Sequence, residues 1–413
     1  MFRALTLLKD RAVGGGAAFT AKRWMHVALV GAGGIHFGSP EGPWNHAARL
    51  QEIPGVSFSA VVDPNVELAQ ARIDKCRQGP RGELWKNTQA LASHRDLLTG
   101  PSVRPDAVFI GVPPVFHGSL HDPSARIELD LARAGVHFFV DKPLSVRPSE
   151  EVRQLARELE ALRREKGLVM SVGYMLRYSP AVTAAKKILA EVGRPPAAIV
   201  ARYACAYSEI RKREWWDVTQ SGGPVVEQGT HFLDLMRFFG GEVRHETLGG
   251  VAVGPEYPLS DMPAAPGGEH QVPRERRINR ATAATFLFES GAVGSFTHTI
   301  VLNGAAFFTE IDIFADGLHV IICDPYADAR VRVRHPGRED YQEVAVDRTV
   351  DMYYEELAAF VRAVQTGETS GVRSPYSDAA KTYELSQCVA SRCESGDLQA
   401  DGSLPAAMKT TEP

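Results

Sequence analysis

Lys142 and His231 are the residues of this chain best suited to moving a proton, and each stands near carboxylates. Lys142 belongs to Asp141-Lys142-Pro143, directly after the apolar run Val136–Val140. At the carboxyl end of a parallel strand, a lysine projects toward the place where ligands collect. There it can exchange a proton with a reacting hydroxyl. Pro143 biases Lys142 toward an extended backbone and admits a cis bond. The second group lies in Ser221-Gly222-Gly223-Pro224-Val225-Val226-Glu227-Gln228-Gly229-Thr230-His231-Phe232-Leu233-Asp234. Pro224 suits a first helical turn. Glu227, His231 and Asp234 are then spaced i, i+4, i+7 and share a face. Phe232, Leu235, Met236 and Phe239 fall on another face, as a buried stripe does. Alone, the lysine reads as a surface residue and the polar stripe as a solvated face. Gly229 argues against a helix built only for stability, because it costs about 1 kcal/mol relative to Ala.

A third constellation, Gly31-Ala32-Gly33-Gly34-Ile35-His36, follows the apolar run His26–Val30. Glycines there permit a tight turn and close approach of backbone N–H groups to a pyrophosphate, with a helix N-terminus behind them. His36 replaces the third glycine of that fingerprint, and Phe37 to Trp44 delay the helix. Asp63 ends the next apolar run, where an acid accepts from a ribose 2′-OH and repels a 2′-phosphate. NAD is therefore expected over NADP. The competing reading of Asp63 is a cap or turn ahead of Pro64.

These groups need a scaffold of alternating elements. Apolar runs at His26–Val30, Val56–Val62, Ala107–Val112 and Val136–Val140 predict strands. Glu67–Arg77, Leu91–Leu98 and Ser124–Ala134 predict helices between them. That alternation argues for a covered parallel sheet. After a long charged helix from Pro148 to Lys166, strands crowd together, with a hairpin at Glu289-Ser290-Gly291. The fold class expected is α/β: an N-terminal Rossmann domain plus a C-terminal α+β domain with an open, mostly antiparallel sheet. The expected divisions are a tail over 1–25, a dinucleotide domain over 26–146, a substrate and oligomerisation domain over 147–396, and a tail over 397–413.

A formal charge of −4 gives no basic excess for nucleic acid or anionic lipid. No apolar stretch is long enough to cross a bilayer. The five cysteines are scattered, without metal-ligand spacing, so no metal is expected and a reducing compartment, the cytoplasm, fits. The basic, acid-poor start reads as a disordered tail or as an organelle transit peptide; its lack of Ser favours the former.

In combination these motifs resemble the glucose–fructose oxidoreductase / inositol dehydrogenase (Gfo/Idh/MocA) family. The glycine loop, Val112-Pro113…His117, Asp141-Lys142-Pro143, Gly173-Tyr174…Arg177-Tyr178…Pro180 and Gly222-Gly223…His231…Asp234 occur in the family's order. The resemblance spans roughly His26 to Glu394. It implies an active site between two domains, with Lys142 and His231 as proton-handling residues and Glu227 orienting them. Asp141 stands where most members have glutamate, and Glu227 where many have aspartate. The implied cofactor contacts are Gly31, Gly33, Gly34, Ile35, Asp63, Val112, Pro113, His117, Asp141 and Lys142, with His36 and His46 near the pocket. Tyr174, Arg177, Trp215, Trp216 and His231 are candidates for contact with a carbohydrate-like substrate, by stacking and hydrogen bonding. Arg274, Arg276, Arg277 and Arg280 suit an anionic substrate, a solvated loop or an oligomer contact. The expected activity is hydride transfer between nicotinamide and a sugar, cyclitol or related diol. The alternatives are a dinucleotide-binding regulator and a cofactor-retaining redox hydrolase or epimerase. The open sheet face implies a homo-oligomer.

Overall fold

A computed structural model describes residues 24–40, 42–100, 103–257, 267–304 and 307–393. The tails expected at the two ends fall outside them, apart from Trp24 and Met25. Met25 opens the first strand.

Six strands form a parallel sheet: β1 (Met25–Val30), β2 (Val56–Val62), β3 (Gln89–Leu91), β4 (Ala107–Ile110), β5 (His137–Val140) and β6 (Met170–Val172). Their spatial order is β3-β2-β1-β4-β5-β6, the doubly wound arrangement that places a ligand crevice where the order reverses beside β1. The apolar runs of β1, β2, β4 and β5 are buried along nearly their whole length, as helices on both faces require. Two details differ from expectation. Leu91 ends a short edge strand instead of starting a helix; the helix is His94–Thr99, capped by Ser93. The boundary expected at residue 147 also moves. Helix Ser149–Lys166 is the crossover to β6, and β6 pairs parallel with β5, so the sheet continues to Val172.

The second sheet holds β7 (Pro196–Ala206), β8 (Val243–Val253), β9 (Ala281–Phe288), β10 (Val293–Leu302), β11 (Phe308–Ala315), β12 (Leu318–Cys323), β13 (Arg330–Arg334) and β14 (Gln342–Val344). Its order is β14-β13-β12-β11-β7-β10-β9-β8, and every pairing but β7 with β10 is antiparallel. Alternate residues of β7, such as Ile199, Ala201 and Tyr203, point into the core beneath helix Thr230–Gly240. The unexpected strand β8 contains Gly249 and Gly250 and slips register beside them, which hides its alternation.

The last two helices do not stay with the second sheet. Helix Met352–Thr366 inserts Leu357, Phe360 and Val361 into the core below β1, β4 and β5. Phe360 meets the rings of Phe109 at 5.3 Å and Phe139 at 5.9 Å, both edge-on. Ser374 then bonds to both backbone groups of Val172, and helix Tyr376–Arg392 packs Tyr376 and Tyr383 against the other face of the parallel sheet. The dinucleotide domain is thus completed by helices Met352–Thr366 and Tyr376–Arg392. Truncating Phe360 to Ala leaves a cavity between the two parts, and we expect a loss of about 3–5 kcal/mol in chemical denaturation.

Candidate active site

Gly31 has φ +110°, and a Cβ there would lie 2.8 Å from the carbonyl oxygen of Gly111, so only glycine fits. A Cβ on Gly33 would meet nothing within 4 Å. Above this open loop the helix Gly34–Phe37 begins without a side-chain cap, leaving N–H groups of its first turn for an anion. A dinucleotide pyrophosphate fits this cradle. The helix is a single turn; after a bridge between Ser39 and Gly42 the chain resumes at His46–Leu50, capped by Asn45. His36 takes the third glycine position because Gly111, just past the neighbouring strand β4, has no side chain. A Cβ on Gly111 would come within 2.8 Å of both the His36 ring and Ile35. His36 is fully buried, and its Nε2 donates to the carbonyl of Val30 at 3.1 Å. Burial pushes its pKa down to about 4, so the ring stays neutral.

Asp63 is already engaged. One carboxylate oxygen accepts from Ala32 N and the other from Asn65 N, each at 2.8 Å, so the side chain fixes the loop as well as facing it. Beside it Arg72 donates through Nε to Ala32 O at 3.2 Å, with its guanidinium over the Phe37 ring at 5.7 Å. That arginine lies nine residues beyond Asp63 in helix Val66–Arg77, and the sequence reading missed it because the helix turns it back toward the loop. Val112 and Pro113 follow β4, half-buried and exposed. His117 and His46 do not line a surface. His117 is buried, with Nδ1 2.8 Å from the buried Glu128. His46 is buried, its Nε2 3.5 Å from Asp141.

Across the junction with the second sheet, Lys142 Nζ donates to Glu227 Oε2 at 2.9 Å and to its carbonyl at 2.6 Å. The Lys142–Pro143 bond is cis. Glu227 lies in a π-helical turn, Val225–Gly229, that enters the α-helix Thr230–Gly240. A Cβ on Gly229 would come 2.8 Å from the Phe296 ring, so that glycine serves the packing of this turn onto β10. His231 is 5% exposed, between the edges of Tyr174 and Tyr326. Burial, reinforced by the charge of Lys142, holds it well below the usual histidine range, so it is a neutral base or donor. Burial also pushes Asp141 up to about 7, with Lys142 opposing and Glu227 adding to the shift.

The polar stripe is buried, not solvated. Asp234 accepts two bonds from Arg177, at 2.7 and 2.6 Å, and a third from Thr382. Arg177 also meets Asp378 at 2.7 Å. Tyr174 shares a 2.9 Å bond with Thr230, the residue before His231. Tyr174 and Arg177 are 1% and 4% exposed, so they hold the His231 helix from beneath and leave no surface for substrate. Trp216 is likewise fully buried, its Nε1 donating to Ile210 O. Trp215 is half-buried and lines a small cavity with Glu227 and Gln228. The arginine group secures its own loop: Arg274 pairs with Glu256, Arg276 with Asp217 and Arg280 with Glu269, while Arg277 donates to Val272 O.

The profile of the oxidoreductase family with an NAD-binding Rossmann fold, GFO_IDH_MocA, matches residues 25–174, and an oxidoreductase C-terminal domain matches 177–318. An uncharacterized protein of Schizosaccharomyces pombe is 36% identical over 372 residues, covering 88% of this chain and 95% of its own. Two solved structures share the fold across 89% of this chain and 97% of their own. One is a UDP-N-acetylglucosamine 3-dehydrogenase from Acidithiobacillus ferrooxidans (TM-score 0.64, 18% identity). The other is a 3-ketoreductase from Actinomadura kijaniata in complex with NADP and TDP-benzene (TM-score 0.66, 16% identity). The chain belongs to the Gfo/Idh/MocA oxidoreductase family and is an NAD(P)-binding oxidoreductase.

Two outcomes follow. Asp234→Ala leaves buried Arg177 short of its main partner, and urea unfolding should show a loss of about 3–5 kcal/mol. Because folding raises the Asp141 pKa from an ordinary value of ~3.9, its contribution to stability is complete below about pH 4. That contribution is lost as the pH rises through about 7. Thermal unfolding across this window should show a decline that Asp141→Asn reduces, the buried Glu356 carboxyl, raised by burial and by Asp141, supplying the rest.

Proposed function

We propose that this chain interconverts a CH–OH and a carbonyl on a sugar or closely related polyol, using NAD(P). The observation that carries the reading is the Lys142–Glu227 pair beside neutral, buried His231, at the junction between the glycine cradle and the second sheet. When bound, the nicotinamide supplies or accepts the hydride. Lys142 gives the proton to, or takes it from, the reacting oxygen. Glu227 keeps the ammonium aimed through two contacts, and His231 offers a second uncharged partner for the same oxygen. Gly31, Gly33, Gly34 and Ile35 hold the pyrophosphate, with Val112 and Pro113 at the rim. The sugar class draws support from the two structural neighbours, a UDP-N-acetylglucosamine 3-dehydrogenase and a 3-ketoreductase.

For the cofactor, NADP stands at least level with NAD, against the preference read from Asp63 alone. Asp63 already accepts from two backbone amides, Arg72 brings a cation from helix Val66–Arg77 to the same loop, and the neighbour holds NADP. Arg72→Ala should weaken NADPH binding about tenfold and NADH binding little, by nucleotide fluorescence titration. Lys142→Ala and His231→Ala should each lower kcat by about 10²–10⁴ while NAD(P)H still binds. Near-normal turnover in both would sink the mechanism.

A further inference from the structure

Behind Glu227 and His231 stands a group of side chains the mechanism leaves unused. Tyr203 comes from β7, Tyr326 from the turn after β12, and Tyr353 from the start of helix Met352–Thr366. The Tyr326 ring touches His231 at 5.8 Å and Tyr203 at 6.2 Å, both edge-on. Tyr353 shares the core cluster of Tyr203 and carries the Arg49 guanidinium 4.8 Å from its ring centroid, and Tyr203 and Tyr326 both feel the charges of Tyr353 and Glu227. Their rings are largely packed, yet among the described residues no hydroxyl of the three has a protein partner. None is among the sealed, unsatisfied polar atoms either.

Gln228, adjacent to Glu227, adds a fourth group. Its side-chain oxygen accepts from His298 Nε2 at 3.1 Å and from Cys205 Sγ at 3.5 Å. Both partners are buried and neutral, since burial lowers His298 to about 3 and raises Cys205 to about 12. The amide orientation is thereby fixed, and its NH2, with no protein partner among the described residues, is presented beside Trp215 and Glu227. Mostly buried phenols that keep free hydroxyls, beside a fixed amide, are what a ring bearing several hydroxyls needs: edges for its C–H faces and neutral donors and acceptors for its oxygens.

We propose that Tyr203, Tyr326 and Tyr353, with the side-chain amide of Gln228, form a wall that reads the non-reacting hydroxyls of an uncharged polyhydroxylated ring. The inference rests on the sugar-oxidoreductase reading above and assigns the residues that set specificity at that site. Burial keeps all three phenols above their ordinary pKa, so they bind as neutral hydroxyls and take no part in proton transfer. A wall of this kind discriminates strongly, because a site hydroxyl left unpaired by the wrong ring forfeits its bond.

The test uses full-length protein loaded with NADPH and saturation-transfer NMR with D-glucose, D-xylose, D-galactose, myo-inositol and, as an acyclic comparison, glycerol. The expected result is binding of at least one ring with little binding of glycerol. Each of Tyr203→Phe, Tyr326→Phe and Tyr353→Phe should weaken that ring by about threefold to tenfold while NADPH fluorescence titrations stay unchanged. Tyr341→Phe, on the far side of the sheet, should leave ring binding as it was. Equal ring binding by the triple Phe variant, or no ring bound by folded wild type that holds NADPH, overturns the proposal. Failure of NAD(P)H to bind at all counts against the oxidoreductase reading itself, so the two failures are told apart by the cofactor titration.

Discussion

Lys142 leaves the parallel sheet at the end of β5 and donates to both the carboxylate and the backbone carbonyl of Glu227 in the second domain. Its side chain and that of Glu227 are 16% and 21% exposed, so the pair is neither fully dry nor freely screened. At this depth an ion pair is worth more than on the surface, provided its geometry is held. Much of the remaining structure serves that geometry. The cradle glycines bring the dinucleotide loop against β4, and the π-turn brings Glu227 back over β5.

The holding is done from beneath. Asp234, one turn beyond His231, lies in a buried cluster with Arg177, Asp378, Arg237 and Thr382, so the His231 helix is tied to helix Tyr376–Arg392 and to the turn after β6. Removing charges from water is costly unless every partner is in place. Here the partners come from segments about 57 and 144 residues from one another, a distance in sequence that folding must close. Because the final helices also complete the core of the dinucleotide domain, the junction that bears the site is continuous with both cores.

His36 shows how a local departure is absorbed. A histidine at the third glycine position would strike a normal strand neighbour, but Gly111 supplies the missing space and Val30 the hydrogen bond. The substitution therefore leaves the cradle open while filling its floor with a neutral ring.

The sequence by itself determined the alternation of strands and helices and the glycine cradle, because each follows from short-range rules of turn chemistry and periodicity. Lys142, Glu227 and His231 stood out only through the order of all the motifs together, since alone the lysine and the polar stripe read as surface. The sequence did not determine which polar residues face a ligand. Tyr174, Arg177 and Trp216 look like contact residues in a linear reading, and only tertiary packing sends them under the His231 helix or into the core. Tyr203, Tyr326, Tyr353, Gln228 and Arg72 carry no local signature. They belong to separate elements, and what each comes to lie beside, the Ala32 loop for Arg72 and the His231 ring for Tyr326, depends on sheet order and helix docking, which a pattern of neighbouring residues does not encode.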